Sequence, residues 1–298
     1  MFGGFAHGQA RKRGYRGGVI PAPPVPRGLQ PYVVARMAYD VDFGAPGVHR
    51  GLPGTSLTFV LPLDDPLRVS WGGEASAHSA WSSLAGLHAA PAAIHHDGTQ
   101  RGIQLELTVA GARAVLGSPA AALAGALTDV DEVAVPRPLR ELPGRLHDAV
   151  TWQQRIALVD WALTSVVARA DGAGPRAEVG RALARLTGGA RVGEVAHEIG
   201  YSRRRLSTLV REECGVTPKE FQRVARFQRA RGLLGRRPLA EVAARCGYSD
   251  QAHLSREWSA LAGCSPTTWL REEFPFVQDD GPVDGPRWVH DRDEAHLD

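Results

Sequence analysis

Apolar and polar positions alternate along TSLTFVLPL, where Leu57, Phe59 and Leu61 share one side, and along GIQLELTV, where Ile103, Leu105, Leu107 and Val109 do the same. A period of two predicts β-strands. PYVVARMAYDVDF and LRVSW read alike, and breaks such as GAPG and LPG separate the runs. Strands without long helices between them predict an antiparallel sheet or small barrel rather than a parallel α/β sheet. After Gly111 the period lengthens. ARAVLG is expected to be helical, as is SPAAALAGAL, with Ser118 as N-cap and Pro119 at the first helical position. Residues 151–170 place Ile156, Val159, Leu163 and Val166 at helical spacing, an amphipathic element that closes the first domain or pairs with its copy.

Residues 1–27 are rich in Gly, Pro and Arg and have no apolar period, so a disordered basic arm is expected there. ADGAGP, residues 170–175, breaks the chain again, and the rest to about residue 278 reads as helices with short turns. The expected organisation is an arm (1–27), a β-rich domain with flanking helices (28–170), an all-helical domain (175–278) and a disordered acidic tail (279–298). The fold class is α+β.

The helical part repeats itself position by position. Glu194, Val195, Ala196 and Gly200, Tyr201, Ser202 recur forty-seven positions later as Glu241, Val242, Ala243 and Gly247, Tyr248, Ser249. Past the turn the offset becomes forty-eight: Leu206 matches Leu254, Val210 matches Trp258, Gly215 matches Gly263 and Pro218 matches Pro266. One residue is inserted at the second turn.

Each copy has the grammar of a helix-turn-helix: an apolar-faced helix, a Gly able to take positive φ, a capping Ser and a second helix. In such a unit the first helix braces the second, which enters the DNA major groove. In SRRRLSTLVREE, Leu206, Leu209 and Val210 face inward, leaving Arg203, Arg204, Ser207 and Thr208 as candidate DNA contacts. In SDQAHLSREW, Leu254 and Trp258 face inward, leaving Gln251, Ala252, Ser255 and Arg256, with Asp250 read as a cap. Arg256 can fork onto guanine O6 and N7, and Gln251 can pair with adenine N6 and N7. Between the copies, Lys219 to Leu234 reads as a linker helix roughly 24 Å long, able to space two recognition helices along one side of a duplex.

Charge agrees with that division. Residues 175–278 carry eighteen basic groups against eleven acidic, residues 28–174 ten against fourteen, and the last twenty residues two against seven. A basic block between acidic segments points to a polyanionic partner.

The paired units, with GVTP and GCSP after the recognition helices, resemble the AraC/XylS family of bacterial transcription regulators over residues 175–273. GYSDQAHLSREW followed by GCSPTTW is similar to the signature of that family's second unit, with Trp258 and Trp269 where Phe and another aromatic are usual. The resemblance implies a regulator bound to double-stranded promoter DNA, often an activator that touches RNA polymerase. It also implies an N-terminal domain that senses a small-molecule effector or forms a homodimer. HRGLPGTSLTFVLPLDDPL, within residues 28–174, looks like a sensor module of one branch of the family.

Other classes find little support. Cys214, Cys246 and Cys264 are odd in number and lack CxxC spacing, which argues against a disulfide framework or structural zinc and fits a reducing cytoplasm. His49, His78, His88, His95 and His96 raise the thought of a metal-binding, cupin-like barrel, yet no HxH followed by Glu occurs, and adjacent His95 and His96 would point to opposite sides of a strand. No metal or cofactor is expected. No GxSxG or P-loop is present, and Asp64 and Asp65 adjoin in a turn, so no enzyme is expected. No run reaches the roughly 18 apolar residues of a membrane helix, so no membrane partner is expected.

Overall fold

The computed structural model describes residues 16–71, 77–170 and 174–272. Its strands are β1 (Arg16–Ile20), β2 (Val33–Asp42), β3 (Gly47–Gly51), β4 (Leu57–Pro62), β5 (Leu67–Ser70), β6 (His78–Ala80), β7 (Ser83–Ala85), β8 (Ala92–His96), β9 (Thr99–Leu107) and β10 (Leu127–Asp129). Among the described residues they form two antiparallel sheets, ordered β1-β2-β9-β4-β7-β10 and β3-β8-β5-β6. The alternation decides what each face does. Leu57, Phe59, Leu61, Ile103, Leu105 and Leu107 are fully buried on the side of the larger sheet turned to the helices. Val60, from the other face of β4, meets Leu67, Val69 and Ala92 of the smaller sheet. Each fully buried aliphatic or Phe side chain contributes roughly 1.5–3 kcal/mol, so this face anchors the domain.

The flanking helices are α1 (Val109–Leu116), α2 (Arg137–Arg140), α3 (Leu142–Asp148) and α4 (Trp152–Val167). A capping box starts α4: Thr151 Oγ1 accepts the Gln154 N–H at 3.2 Å and Gln154 Oε1 accepts the Thr151 N–H at 3.0 Å. Ile156, Val159, Leu163 and Val166 are buried, so α4 closes the first domain. An ion pair between Arg36 of β2 and Asp160 of α4 ties helix to sheet.

Two segments differ from expectation. Residues 16–27 fall within the expected disordered arm, yet β1 pairs along β2, and Ile20, Ala22 and Val25 pack on the core. The unpaired edge of β2 offers backbone donors and acceptors that composition does not reveal. Residues 1–15 and 273–298, which hold the rest of the arm and the expected acidic tail, lie outside the described residues. SPAAALAGAL is not an α-helix either. Pro119 precedes a single 3-10 turn, Ala120–Leu123, and Gly125 turns the chain with φ 66° into β10. Its backbone bonds sideways instead: Gly125 N–H donates to Leu87 O at 2.9 Å and Gly86 N–H to Ala126 O at 3.1 Å.

The C-terminal part is helical: α5 (Ala177–Thr187), α6 (Val192–Ile199), α7 (Arg203–Cys214), α8 (Pro218–Leu233), α9 (Leu239–Cys246), α10 (Gln251–Ala262) and α11 (Pro266–Glu272). It is not packed as an isolated body. Leu186, Val195, Leu206, Val210 and Phe221 belong to the same contiguous core as Val33, Leu105 and Val159. The second unit has its own core around Phe227, Leu254, Trp258 and Trp269, against which Leu52 and Ala89 of the β-domain pack. No helix among the described residues is long and apolar enough to cross a membrane.

Candidate nucleic-acid interface

The two recognition helices are built in the same way from the repeat. In the first unit Val195 and Ala196 bury α6, Gly200 turns the chain at φ 82°, and Ser202 Oγ accepts the Arg205 N–H at 3.1 Å to start α7. In the second, Val242 and Ala243 bury α9, Gly247 turns at φ 77°, and α10 follows. Left-handed backbone at both turns suits glycine because a Cβ is strained there.

The inserted residue has a visible consequence. Ser249, the repeat partner of Ser202, no longer caps the helix. Asp250 does so, accepting the His253 N–H at 2.6 Å. That bond holds the Asp250 carboxyl below the usual carboxylate range, helped by the Ser249 hydroxyl. A carboxylate here also suits the positive end of the α10 dipole.

Behind each recognition helix lies an apolar brace. Leu206, Leu209 and Val210 are buried under α7, and Leu254 and Trp258 under α10. Trp258 fills the second unit, 4.6 Å from the Phe227 ring of α8 and 5.5 Å from Trp269 of α11. The opposite surfaces are open: Arg203, Arg204, Thr208, Gln251, Ala252 and Arg256 are exposed, and Ser207 and Ser255 are half-buried.

These eight side chains do not present themselves equally. The Arg203 guanidinium folds back onto α6, so close that a Cβ at Gly193 would lie 2.7 Å from its Nη2. Thr208 Oγ1 donates to the Arg204 carbonyl of its own helix at 3.1 Å. Among the described residues no hydrogen bond or ion pair holds the side chains of Arg204, Gln251 or Arg256.

Several cations counted in the basic excess are engaged inside the domain. Arg223 and Arg226 of α8 both donate to Glu257 of α10, at 3.0 and 2.5–2.8 Å, and Arg226 also lies over the Tyr248 ring at 4.7 Å. Arg229 donates to the Thr187 carbonyl and Gln222 Nε2 to Ala190 O at 2.8 Å, which fastens α8 to the loop before α6. Spacing alone hid these roles, because each partner lies on another helix. Arg205 and Arg211 of α7 are exposed cations that the repeat comparison did not single out.

Cys214 and Cys246 are buried, and burial pushes the Cys214 thiol up to about 12 and raises that of Cys246. Both side chains fill apolar core. In the β-domain, His95 bonds Ser70 Oγ at 3.0 Å, while His96 stacks on Phe43 with ring centroids 4.0 Å apart. Among the described residues no group of three His, Cys, Asp or Glu side chains converges to hold a metal ion.

Two braced helices with open N-terminal ends, joined by a helical rod, define a two-unit helix-turn-helix DNA-binding domain. Residues 195–272 match the family model described as a helix-turn-helix domain. This makes residues 195–272 a helix-turn-helix domain of the AraC type.

Solved structures similar to this one include the C-terminal domain of AraT, a response regulator from Geobacillus stearothermophilus. It is 25% identical, with 33% of this chain and 86% of that one covered and a TM-score of 0.31. The DNA-binding domain of the global transcriptional factor AdpA, in complex with a target DNA, is 28% identical, with 36% and 98% covered and a TM-score of 0.31. ToxT from Vibrio cholerae O395 is 10% identical, with 82% and 98% covered and a TM-score of 0.47. None of the curated proteins compared with the chain matches it.

Proposed function

We propose that the chain is a sequence-specific transcription regulator that inserts α7 and α10 into successive major grooves of promoter DNA and acts by occupancy, without catalysis. One observation carries this reading: two repeat-related helices, each braced from behind and open at its N-terminal end, sit on either side of one linker helix. Phosphate contacts from arginines and helix N-termini set the register, and side chains on the open faces choose the sequence.

The residues divide by chemistry. Arg256, Arg204 and Gln251, whose side chains are held by no hydrogen bond or ion pair among the described residues, suit bidentate contacts with base edges. The Thr208 methyl and Ala252 suit apolar contact with thymine methyl groups, Ser207 and Ser255 offer short hydroxyls, and Arg203, folded toward α6, suits a phosphate.

The β-domain senses a ligand or dimerises in this reading, and RNA polymerase is the partner through which an activator would work. The buried Nδ1 atoms of His49 and His96, which have no hydrogen-bond partner among the described residues, support a polar ligand between the sheets. Two exposed apolar side chains, Trp161 on α4 at 49% and Val150 ahead of it at 82%, support self-association.

Selection of bound fragments from random duplex DNA with the full chain tests the proposal. The expected product is a two-part site with elements about one helical turn apart. Recovery of no preferred sequence overturns it.

A further inference from the structure

The repeat places Gly215 and Gly263 at the same point of each unit, the residue that closes each recognition helix, with φ of 75° and 71°. Both points are covered by the β-domain. A Cβ on Gly215 would lie 2.1 Å from Ala124 Cβ, and a Cβ on Gly263 would lie 3.1 Å from Pro91 Cγ.

An ion pair stands on each unit. Arg113 of α1 donates from Nε and Nη2 to the two oxygens of Glu213 at 2.7 and 2.9 Å, on a carboxylate that is 6% exposed. Arg50 of β3 donates to Glu272 of α11 at 2.9 Å. Between them, the Thr55 N–H and Oγ1 both donate to Gln228 Oε1 in the middle of α8, at 3.1 and 3.0 Å. One domain therefore holds the first unit, the rod and the second unit at once. It does so at the ends of α7 and α10 remote from the open N-terminal faces.

We propose that the β-domain acts as a jig that sets the separation and relative rotation of the two recognition helices, with Arg113 and Arg50 as positioning residues for half-site spacing. The inference rests on the DNA-binding reading above and concerns residues that touch no DNA. Its reason is geometric. Moving one half-site by a single base pair shifts it by about 3.4 Å and rotates it by about 35° around the duplex. Two units joined only by a helical rod can shift to follow such a change, whereas units and rod each clamped to one domain resist it.

The test uses the full chain and duplexes in which the two half-elements of its site are kept while their separation changes by one and two base pairs. The wild type is expected to prefer one spacing by about tenfold over its neighbours, a discrimination ordinary for one wrong position in a site. Arg113→Ala, Arg50→Ala and their combination are expected to flatten the preference to within about threefold, with base choice inside each element unchanged. Arg113→Lys, which keeps the charge without the fork, should restore part of it.

Arg113→Ala leaves Glu213 buried without its partner. Should that variant fail to fold by thermal melting, Arg50→Ala, at a more exposed pair, carries the same measurement. A folded double variant with the wild-type spacing profile overturns the inference. So does equal weakening at every spacing, which marks a merely structural role, and so does a wild type that binds but ignores spacing. A wild type that binds no element at all instead overturns the DNA-binding reading, and the jig falls with it.

Discussion

Glu257 of the second recognition helix accepts both guanidinium nitrogens it can reach, Arg226 Nη2 at 2.5 Å and Arg223 Nε at 3.0 Å, on a side chain only 9% exposed. Its repeat position in the first unit is Leu209, a buried apolar residue. The second unit is therefore seated on the linker helix partly by charge, at a place where the first unit carries an apolar side chain.

Removing the Glu257 carboxylate leaves two arginines, 25% and 35% exposed, facing each other. Water reaches both, which softens the full penalty of breaking a buried pair. Glu257→Ala is expected to destabilise the chain by about 1–3 kcal/mol in urea unfolding, and Glu257→Gln by less. Loss of the Leu209 side chain should cost about 2–5 kcal/mol by cavity formation and be insensitive to salt.

Base readers and phosphate anchors separate by their signatures. Arg256→Ala is expected to relax discrimination at one base pair by about 1–3 kcal/mol while other positions keep their preference. Arg203→Ala is expected to weaken binding to all sequences alike and to lower the slope of log K against log salt by about 1. Titrations of a half-site library at several salt concentrations distinguish the two.

Gly200 and Gly215 share positive φ, at 82° and 75°, but differ in surroundings: among the described residues nothing lies within 4 Å of a Cβ at Gly200, whereas Ala124 blocks one at Gly215. Gly200→Ala should cost only the left-handed strain, about 1–2 kcal/mol. Gly215→Ala should cost more, because it also pushes the β-domain away from α7. Thermal melts of the two variants measure that difference.

Burial, with a smaller contribution from His96, lowers His49 from 6.5 to about 4. Between those values the unfolded chain binds a proton that the folded chain refuses, so stability rises with pH across this window and falls as pH drops from about 6.5 toward 4. The loss should be on the order of 3 kcal/mol once both states are protonated. His49→Gln is expected to flatten this part of the stability profile, measured as melting temperature from pH 4 to pH 7, relative to the wild type.

Much of the C-terminal domain was legible because its signals are local. Gly200 and Gly247 each end a helix in the left-handed conformation, and the single-residue insertion predicted from the repeat offset surfaces as a transfer of capping from serine to Asp250. What stayed hidden depends on distant chain. The segment after Pro119 has helical composition but bonds to Gly86 and Leu87. Arg223, Arg226 and Arg229 acquire their roles only from partners on other helices. The break at residues 170–175 marks a change of pattern, yet a single apolar core runs past it.

The most direct test of the account is hydroxyl-radical and base-methylation footprinting of the full chain on its selected site. Two protected major-groove windows on one side of the duplex, centred about 34 Å apart, are the expected result. A single window, or protection confined to phosphates without any base, would contradict the entry of α7 and α10 into neighbouring grooves.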